Sequence, residues 1–258
     1  MTNVTSSGSD PVQSCSEHSA PSTSGNVAIR TFAGAVAGIA GALLSWKAIE
    51  LIGEVFVLPP DLAALASGQA PPPEVQAKVA AVMRDINIKN AAIWMGTTGA
   101  VLGTLFGLTI CLFRRLRRSS LRMMFATGLA ATLFGAVAGV AGYWINAVSR
   151  ANTVAGATSP SELNTLLLHS AIWLIVGLGI GSGIAWGGIQ SRRSRIESMV
   201  VIGLVGMVGG CLFPVVAGIL LPTVNSSWPI PPIEPTAGRI LWLSLPSVLM
   251  GLAIGRNG

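Results

Sequence analysis

Six long apolar runs alternate with polar segments along the chain. They cover about residues 31–52, 91–113, 123–148, 163–189, 199–221 and 240–255. A helix needs roughly 20 apolar residues to cross a bilayer, and each run reaches or approaches that length. The pattern therefore predicts an all-α, polytopic membrane protein with six transmembrane helices.

A glycine-rich stretch, Gly34-Ala-Val-Ala-Gly-Ile-Ala-Gly41, recurs almost unchanged at 135–142 and more loosely at 203–210. Each copy lies in an odd-numbered span, which predicts three sequential two-helix repeats. Glycines four residues apart let two helix backbones approach closely in lipid. We expect such contacts within the bundle rather than at a dimer seam. The glycines assigned to helix packing are Gly34, Gly38, Gly41, Gly135, Gly139 and Gly142.

The repeats set the predicted domain boundaries. Residues 1–26 are rich in Ser, Thr, Gly and Pro, and predict a disordered cytoplasmic tail. Helix pair 1 covers 27–113, pair 2 covers 114–195 and pair 3 covers 196–258. Pair 1 contains a long extracytoplasmic loop in which apolar residues recur at helical spacing over 74–90. That periodicity predicts a short amphipathic helix at the membrane surface.

Composition and charge fit this reading. The chain is 51% hydrophobic and 10% charged, which is too apolar for an ordinary soluble domain. Its net charge of +6 comes from arginines in short loops beside the spans, which indicates topology rather than nucleic-acid binding. We therefore expect a plasma or inner membrane protein with both termini in the cytoplasm, the lipid bilayer as its surroundings and no nucleic-acid partner.

In that orientation three tryptophans fall at the outer ends of the even-numbered spans. They are Trp94, Trp173 and Trp242, each preceded by two apolar residues. Tryptophan is enriched at the membrane–water interface, so the favoured interpretation is an aromatic belt. Stacking on a ligand is the less favoured alternative.

The sequence shows no catalytic motif. It lacks a nucleophile elbow, a metalloprotease motif and a phosphate-binding loop. It contains only two histidines, and its three cysteines, Cys15, Cys111 and Cys211, have no paired spacing. We therefore predict no catalytic residues, no cofactor and no metal.

One polar cluster is a candidate site. Lys47, Glu50 and Glu54 lie three and four residues apart on one face of the first helix, near its outer end. Asn146 and His169 lie near the outer ends of their own helices. The favoured interpretation is an interfacial ion-pair cluster. The alternative is a solute or proton site that faces the bundle interior.

Two classes of function remain. The abundant small-residue faces favour a non-enzymatic structural or accessory subunit of a membrane assembly, with a membrane-protein partner or a second copy of the chain. The alternative is a small-solute or ion transporter or channel, since transporter folds often contain internal repeats. A membrane enzyme ranks third. A polar central pathway would favour transport, and a closed apolar core the accessory subunit.

Overall fold

Seven α-helices make up the fold in the computed structural model, which describes residues 23–66, 72–113, 118–153, 162–187, 192–224, 227–231 and 236–257. The helices are α1 (Thr23–Ile52), α2 (Pro60–Ala66), α3 (Pro73–Phe113), α4 (Arg118–Thr153), α5 (Glu162–Gly187), α6 (Arg192–Leu220) and α7 (Thr236–Asn257). Residues 1–22 of the predicted tail lie outside the described residues, whereas the last four, 23–26, already belong to α1.

Six of these helices, all except α2, are long and apolar enough to cross a membrane. The predicted all-α, multi-pass membrane fold is therefore confirmed. Successive spans run in opposite directions, so one end of the bundle carries Arg30, Arg122, Arg195 and Arg256. We call this the basic end and the opposite one the distal end.

The spans form two layers around the bundle axis. The inner helices α3, α5 and α7 contact one another, and each outer helix lies in a groove between two of them. Helix α1 packs between α7 and α3, α4 between α3 and α5, and α6 between α5 and α7. The last span thus closes the bundle against the first.

Glycines bring each outer helix into backbone contact with one inner helix. Gly34 and Gly38 of α1 face the carbonyl groups of Gly251 and Ser247 on α7, so closely that a methyl group at either glycine would collide with them. The same arrangement recurs at two other interfaces: Gly135 and Gly139 meet Met95 and Ala91, and Gly206 and Gly210 meet Trp173 and His169. These positions require glycine because the partner at each one is backbone, which cannot turn aside.

The third glycine stretch is aligned differently from the sequence prediction. The alignment to 203–210 puts Gly203 and Met207 at the positions of Gly34 and Gly38, but Gly206 and Gly210 make the corresponding contacts. Gly203 packs on the side chain of Leu178 instead. The third copy therefore keeps the four-residue spacing, and the alignment to 203–210 is wrong. The three-repeat arrangement itself stays a prediction.

Helix α3 differs from its prediction in length. It runs without a break for 41 residues, so 74–90 do not form a separate helix on the membrane surface. The sequence has no glycine between Pro73 and Gly96, and nothing else there ends a helix. At 1.5 Å per residue it is about 61 Å long, roughly twice the hydrocarbon core of a bilayer. Its first half therefore projects from the distal end.

Candidate functional site in the bundle interior

The predicted polar cluster does not assemble into one site. Lys47 and Glu50 form a salt bridge of 2.8 Å, but their side chains are 55% and 43% exposed, and Glu54 is exposed as well. Ser45 and Ile49 occupy the buried face of α1, Lys47 and Glu50 lie on its exposed side, and Glu54 follows the end of the helix. The inward orientation considered for them is therefore wrong.

The other two members of that cluster lie elsewhere. Asn146 is half-buried on α4, and His169 is completely buried on α5. Lys47 and Glu50 are brought together as an exposed pair one helical turn apart. An exposed ion pair of this kind contributes little to stability.

The three tryptophans of the predicted belt lie inside the bundle. Trp173 and Trp242 are fully buried and Trp94 is nearly so. They sit on the inner helices α3, α5 and α7, on faces that pack against other helices. The aromatic-belt prediction is therefore wrong for all three. Sequence position alone places a tryptophan near an end of a span and does not indicate which side of the helix it occupies.

An aromatic cluster joins α5, α6 and α7. It consists of His169, Trp173, Phe213 and Trp242. The indole Nε1 of Trp242 donates a hydrogen bond of 3.0 Å to Nδ1 of His169. The His169 ring meets Phe213 edge-on with centroids 5.0 Å apart, and Trp173 meets Trp242 in the same way at 5.3 Å. In this contact Nδ1 of His169 is the acceptor, a role that one nitrogen of a neutral imidazole can take.

Above this cluster, at the distal end, α3 holds the chain that follows α1. Gly53 adopts φ +62° and donates to the carbonyl of Ile49, which ends α1 in a left-handed turn that favours glycine. Trp94 donates from Nε1 to the carbonyl of Gly53 at 2.7 Å. The side-chain amide of Asn90 exchanges two hydrogen bonds, both 2.9 Å, with the backbone of Phe56. These hydrogen bonds attach the end of α1 to the inner helix α3.

Arg239 completes this region from α7. It is only 2% exposed, and its Nε and Nη2 donate to the carbonyl of Pro231 at 3.1 and 2.8 Å. Its guanidinium carbon lies 5.5 Å from the centre of the Trp94 ring, in cation–π geometry. We call Asn90, Trp94 and Arg239 the distal cap.

Sequence reasoning missed the role of Arg239. The charge pattern of the sequence does not single it out. The available signal is its position, since it directly precedes the apolar run 240–255 and so begins a span. A buried charge is costly unless it is paired or hydrogen-bonded. The carbonyl of Pro231 and the ring of Trp94 supply that compensation.

Several of these interior groups are hydrogen-bonded, whereas the buried Nε1 of Trp173 has no hydrogen-bond partner among the described residues. The donors of Arg239 and Trp94 are directed at backbone carbonyls, and Trp242 is directed at His169. Within the described residues, no three His, Cys, Asp or Glu side chains are grouped to hold a metal ion. The arrangement cross-links helices and loops. No family model matches the chain, and no curated protein or solved structure is significantly similar to it.

Proposed function

We propose that this protein is a non-enzymatic structural or accessory subunit of a membrane assembly, in a plasma or inner membrane with both termini in the cytoplasm. One observation carries the proposal: the described side chains at the centre of the bundle are buried against one another in one apolar core. The inner helices meet through side chains with no exposed surface, including Met95, Val176 and Leu243. The aromatic cluster and the distal cap continue this packing to the distal end. Such an interior serves as a scaffold.

The helix contacts support a rigid bundle. At three interfaces an outer helix touches the backbone of its inner neighbour through glycine, and close packing of this kind does not deform gradually. Alternating access requires one part of a transporter to rock against another. The alternative of a solute or ion transporter or channel therefore has less support. The polar interior groups His169 and Arg239 are engaged by Trp242 and Pro231.

We further propose that the spans are three copies of one helix pair. The contacts made by Gly34, Gly135 and Gly206 support this. Each interface also contains the reverse contact, an inner-helix glycine against an outer-helix carbonyl: Gly255 on Arg30, Gly99 on Ala131 and Gly177 on Ile202. On the inner helices, the matched glycines follow one another at intervals of 78 residues.

Because the interior side chains are buried against one another, we expect the protein to bind its partner through its surface. The first half of α3 projects from the distal end beside the last turns of α4. Between them lies a groove of about 510 Å³ lined by Arg84, Asp85, Ile88 and Trp144, among others. Trp144 is 64% exposed, and tryptophan and arginine are the residues that most often dominate binding energy at protein interfaces. We place the docking site for a membrane-protein partner in this groove.

Cross-linking in the native membrane tests the proposal. A photo-reactive amino acid at Trp144 should give one discrete adduct, and the same group at Leu133, an exposed apolar residue of α4 nearer the middle of its span, should give none. The protein purified in mild detergent should keep that partner at fixed stoichiometry by native mass spectrometry. An adduct of twice the chain mass would identify a second copy as the partner. A lone monomer without adducts would contradict the proposal.

A further inference from the structure

A cleft opens at the basic end between α1, α6 and α7. Its volume is about 770 Å³, within the range of ordinary ligand sites. Ser198, Glu197, Val201 and Val205 of α6 line one wall, and Leu252 and Arg256 of α7 line the other. The cleft is separate from the aromatic cluster and the distal cap.

Helices α6 and α7 make a less extensive contact than α4 and α5 do, and the cleft lies at the basic end of that interface. Deeper in the bundle, Gly209 lies directly against Pro246 and keeps the two helices together. In the neighbouring pair, α4 and α5 stay in contact up to the basic end, because Gly183 and Gly187 of α5 sit on the backbone of α4. The part of α7 that faces Val201 carries side chains and does not make this close approach.

Polarity changes along the depth of the cleft. Ser198, Val201 and Val205 follow one face of α6, so the wall changes from hydroxyl to aliphatic as it enters the membrane. On α7, Arg256 lies at the end and Leu252 one turn deeper. A phospholipid has the same order of groups, with a polar head at the surface and acyl chains below it. The change from polar to apolar side chains along the cleft therefore matches the order of groups in a phospholipid.

The cleft carries one charge of each sign. Glu197 and Arg256 are exposed on opposite walls, and within the described residues neither lies at salt-bridge distance from an opposite charge. An arginine fork suits a phosphate group, and a carboxylate accepts hydrogen bonds from an ammonium group. Phosphoethanolamine carries both groups a few bonds apart.

We propose that this cleft binds a phosphatidylethanolamine molecule, with its phosphate on Arg256, its ammonium on Glu197 and its acyl chains along Val201, Val205 and Leu252. This inference does not depend on the proposed function. The α7 wall binds the phosphate and the α6 wall binds the ammonium group. Removing Arg256 should weaken binding of any phospholipid, and removing Glu197 should remove only the preference for the ammonium group.

Native mass spectrometry of the full chain in detergent, titrated with defined lipids, tests this assignment. Phosphatidylethanolamine should bind about tenfold more tightly than phosphatidylcholine, whose methylated ammonium cannot donate hydrogen bonds, and more tightly than phosphatidylglycerol, which lacks an ammonium. Glu197→Gln should abolish that preference, and Arg256→Ala should weaken all three lipids. Arg122→Ala, which removes an exposed arginine of the basic end outside the cleft, should change nothing.

Three results would overturn the proposal. The first is equal binding of the three lipids by the unaltered chain, and the second is an unchanged preference in Glu197→Gln. The third concerns residues 1–22 of the chain as a rival occupant. If phosphatidylethanolamine bound only after their deletion, the chain's own N-terminal segment would fill the cleft.

Melting temperatures separate lost binding from lost folding. Because Glu197 and Arg256 are exposed, the melting temperatures of the variants should match that of the parent.

Discussion

At the residue scale, glycines without room for a side chain determine how closely the helices approach. Gly139 illustrates the point, because a methyl group there would collide with the carbonyl of Ala91. Gly218 lies on the exposed face of α6 with no atom near its missing side chain. The same substitution at these two helical sites therefore has opposite consequences.

We predict that Gly139→Ala lowers the free energy of unfolding by about 1–3 kcal/mol, as overpacking does in other tightly packed sites. Gly218→Ala should leave stability unchanged or raise it slightly, because alanine is the better helix former. Thermal unfolding in detergent, followed by tryptophan fluorescence, measures both. Equal melting temperatures for the two variants would show that α3 and α4 are not in backbone contact.

The distal cap gives a second prediction at this scale. Arg239→Ala removes both hydrogen bonds to Pro231 and the contact with Trp94. A buried carbonyl that loses its partner costs about 1–3 kcal/mol, so we expect a loss of that size. Arg84→Ala, at an exposed position of α3, is the matched control. Full stability of the Arg239 variant would mean that the cap does not hold the distal end together.

Residue by residue, the sequence predicted contacts made by backbone better than those made by side chains. Close approach of two backbones requires glycine, so the spacing of Gly34 and Gly38 carries the information directly. Trp173 illustrates the opposite case. Its side chain suits either a buried or an interfacial position, and only the arrangement of the neighbouring helices decides between the two. Arg239 was missed for the same reason.

At the element scale, helix α3 shows that a change in hydropathy and the end of a helix need not fall at the same residue. The predicted span begins at the change from polar to apolar residues near Ala91, and the sequence pattern predicts the end of one helix there. Helix ends depend on caps and on residues such as glycine and proline. None of these separates 74–90 from the following span, so one helix continues through both.

This continuity predicts a measurable distance. Spin labels at Lys78 and Leu112, both exposed, are 34 residues apart on α3 and should lie about 51 Å apart at 1.5 Å per residue. Pulsed electron paramagnetic resonance in liposomes measures this separation. A bend near residue 90 that laid 74–90 along the membrane surface would shorten it by more than 10 Å and would restore the predicted interfacial helix.

At the scale of the whole molecule, the sequence predicted six spans and could not assign inner and outer helices. Hydropathy is similar for α4 and α5, although α4 is an outer helix and α5 an inner one. In lipid, both lipid-facing and core-facing surfaces are apolar, so composition does not separate them. The closure of α7 on α1 likewise depends on contacts between distant parts of the chain.

Orientation in the membrane is a prediction at this scale. Cysteines at Arg122 and Lys78, in a chain whose Cys15, Cys111 and Cys211 are replaced by alanine, report on the basic end and the α3 projection. The arginine asymmetry predicts that an impermeant thiol reagent applied to intact cells labels the cysteine at 78 and not the one at 122. The reverse pattern would place the docking groove in the cytoplasm.

The closed interior is the central claim, and the accessibility of one buried position tests it most directly. Val176 is fully buried near the middle of α5, and cysteine is close to valine in size. In the same cysteine-free chain, reconstituted in liposomes, we predict that Val176→Cys does not react with a small charged thiol reagent applied to both faces, while Lys78→Cys reacts fully. Modification of position 176 at a rate similar to that of position 78 would reveal an aqueous pathway through the bundle, and the transporter would then replace the scaffold as the better account.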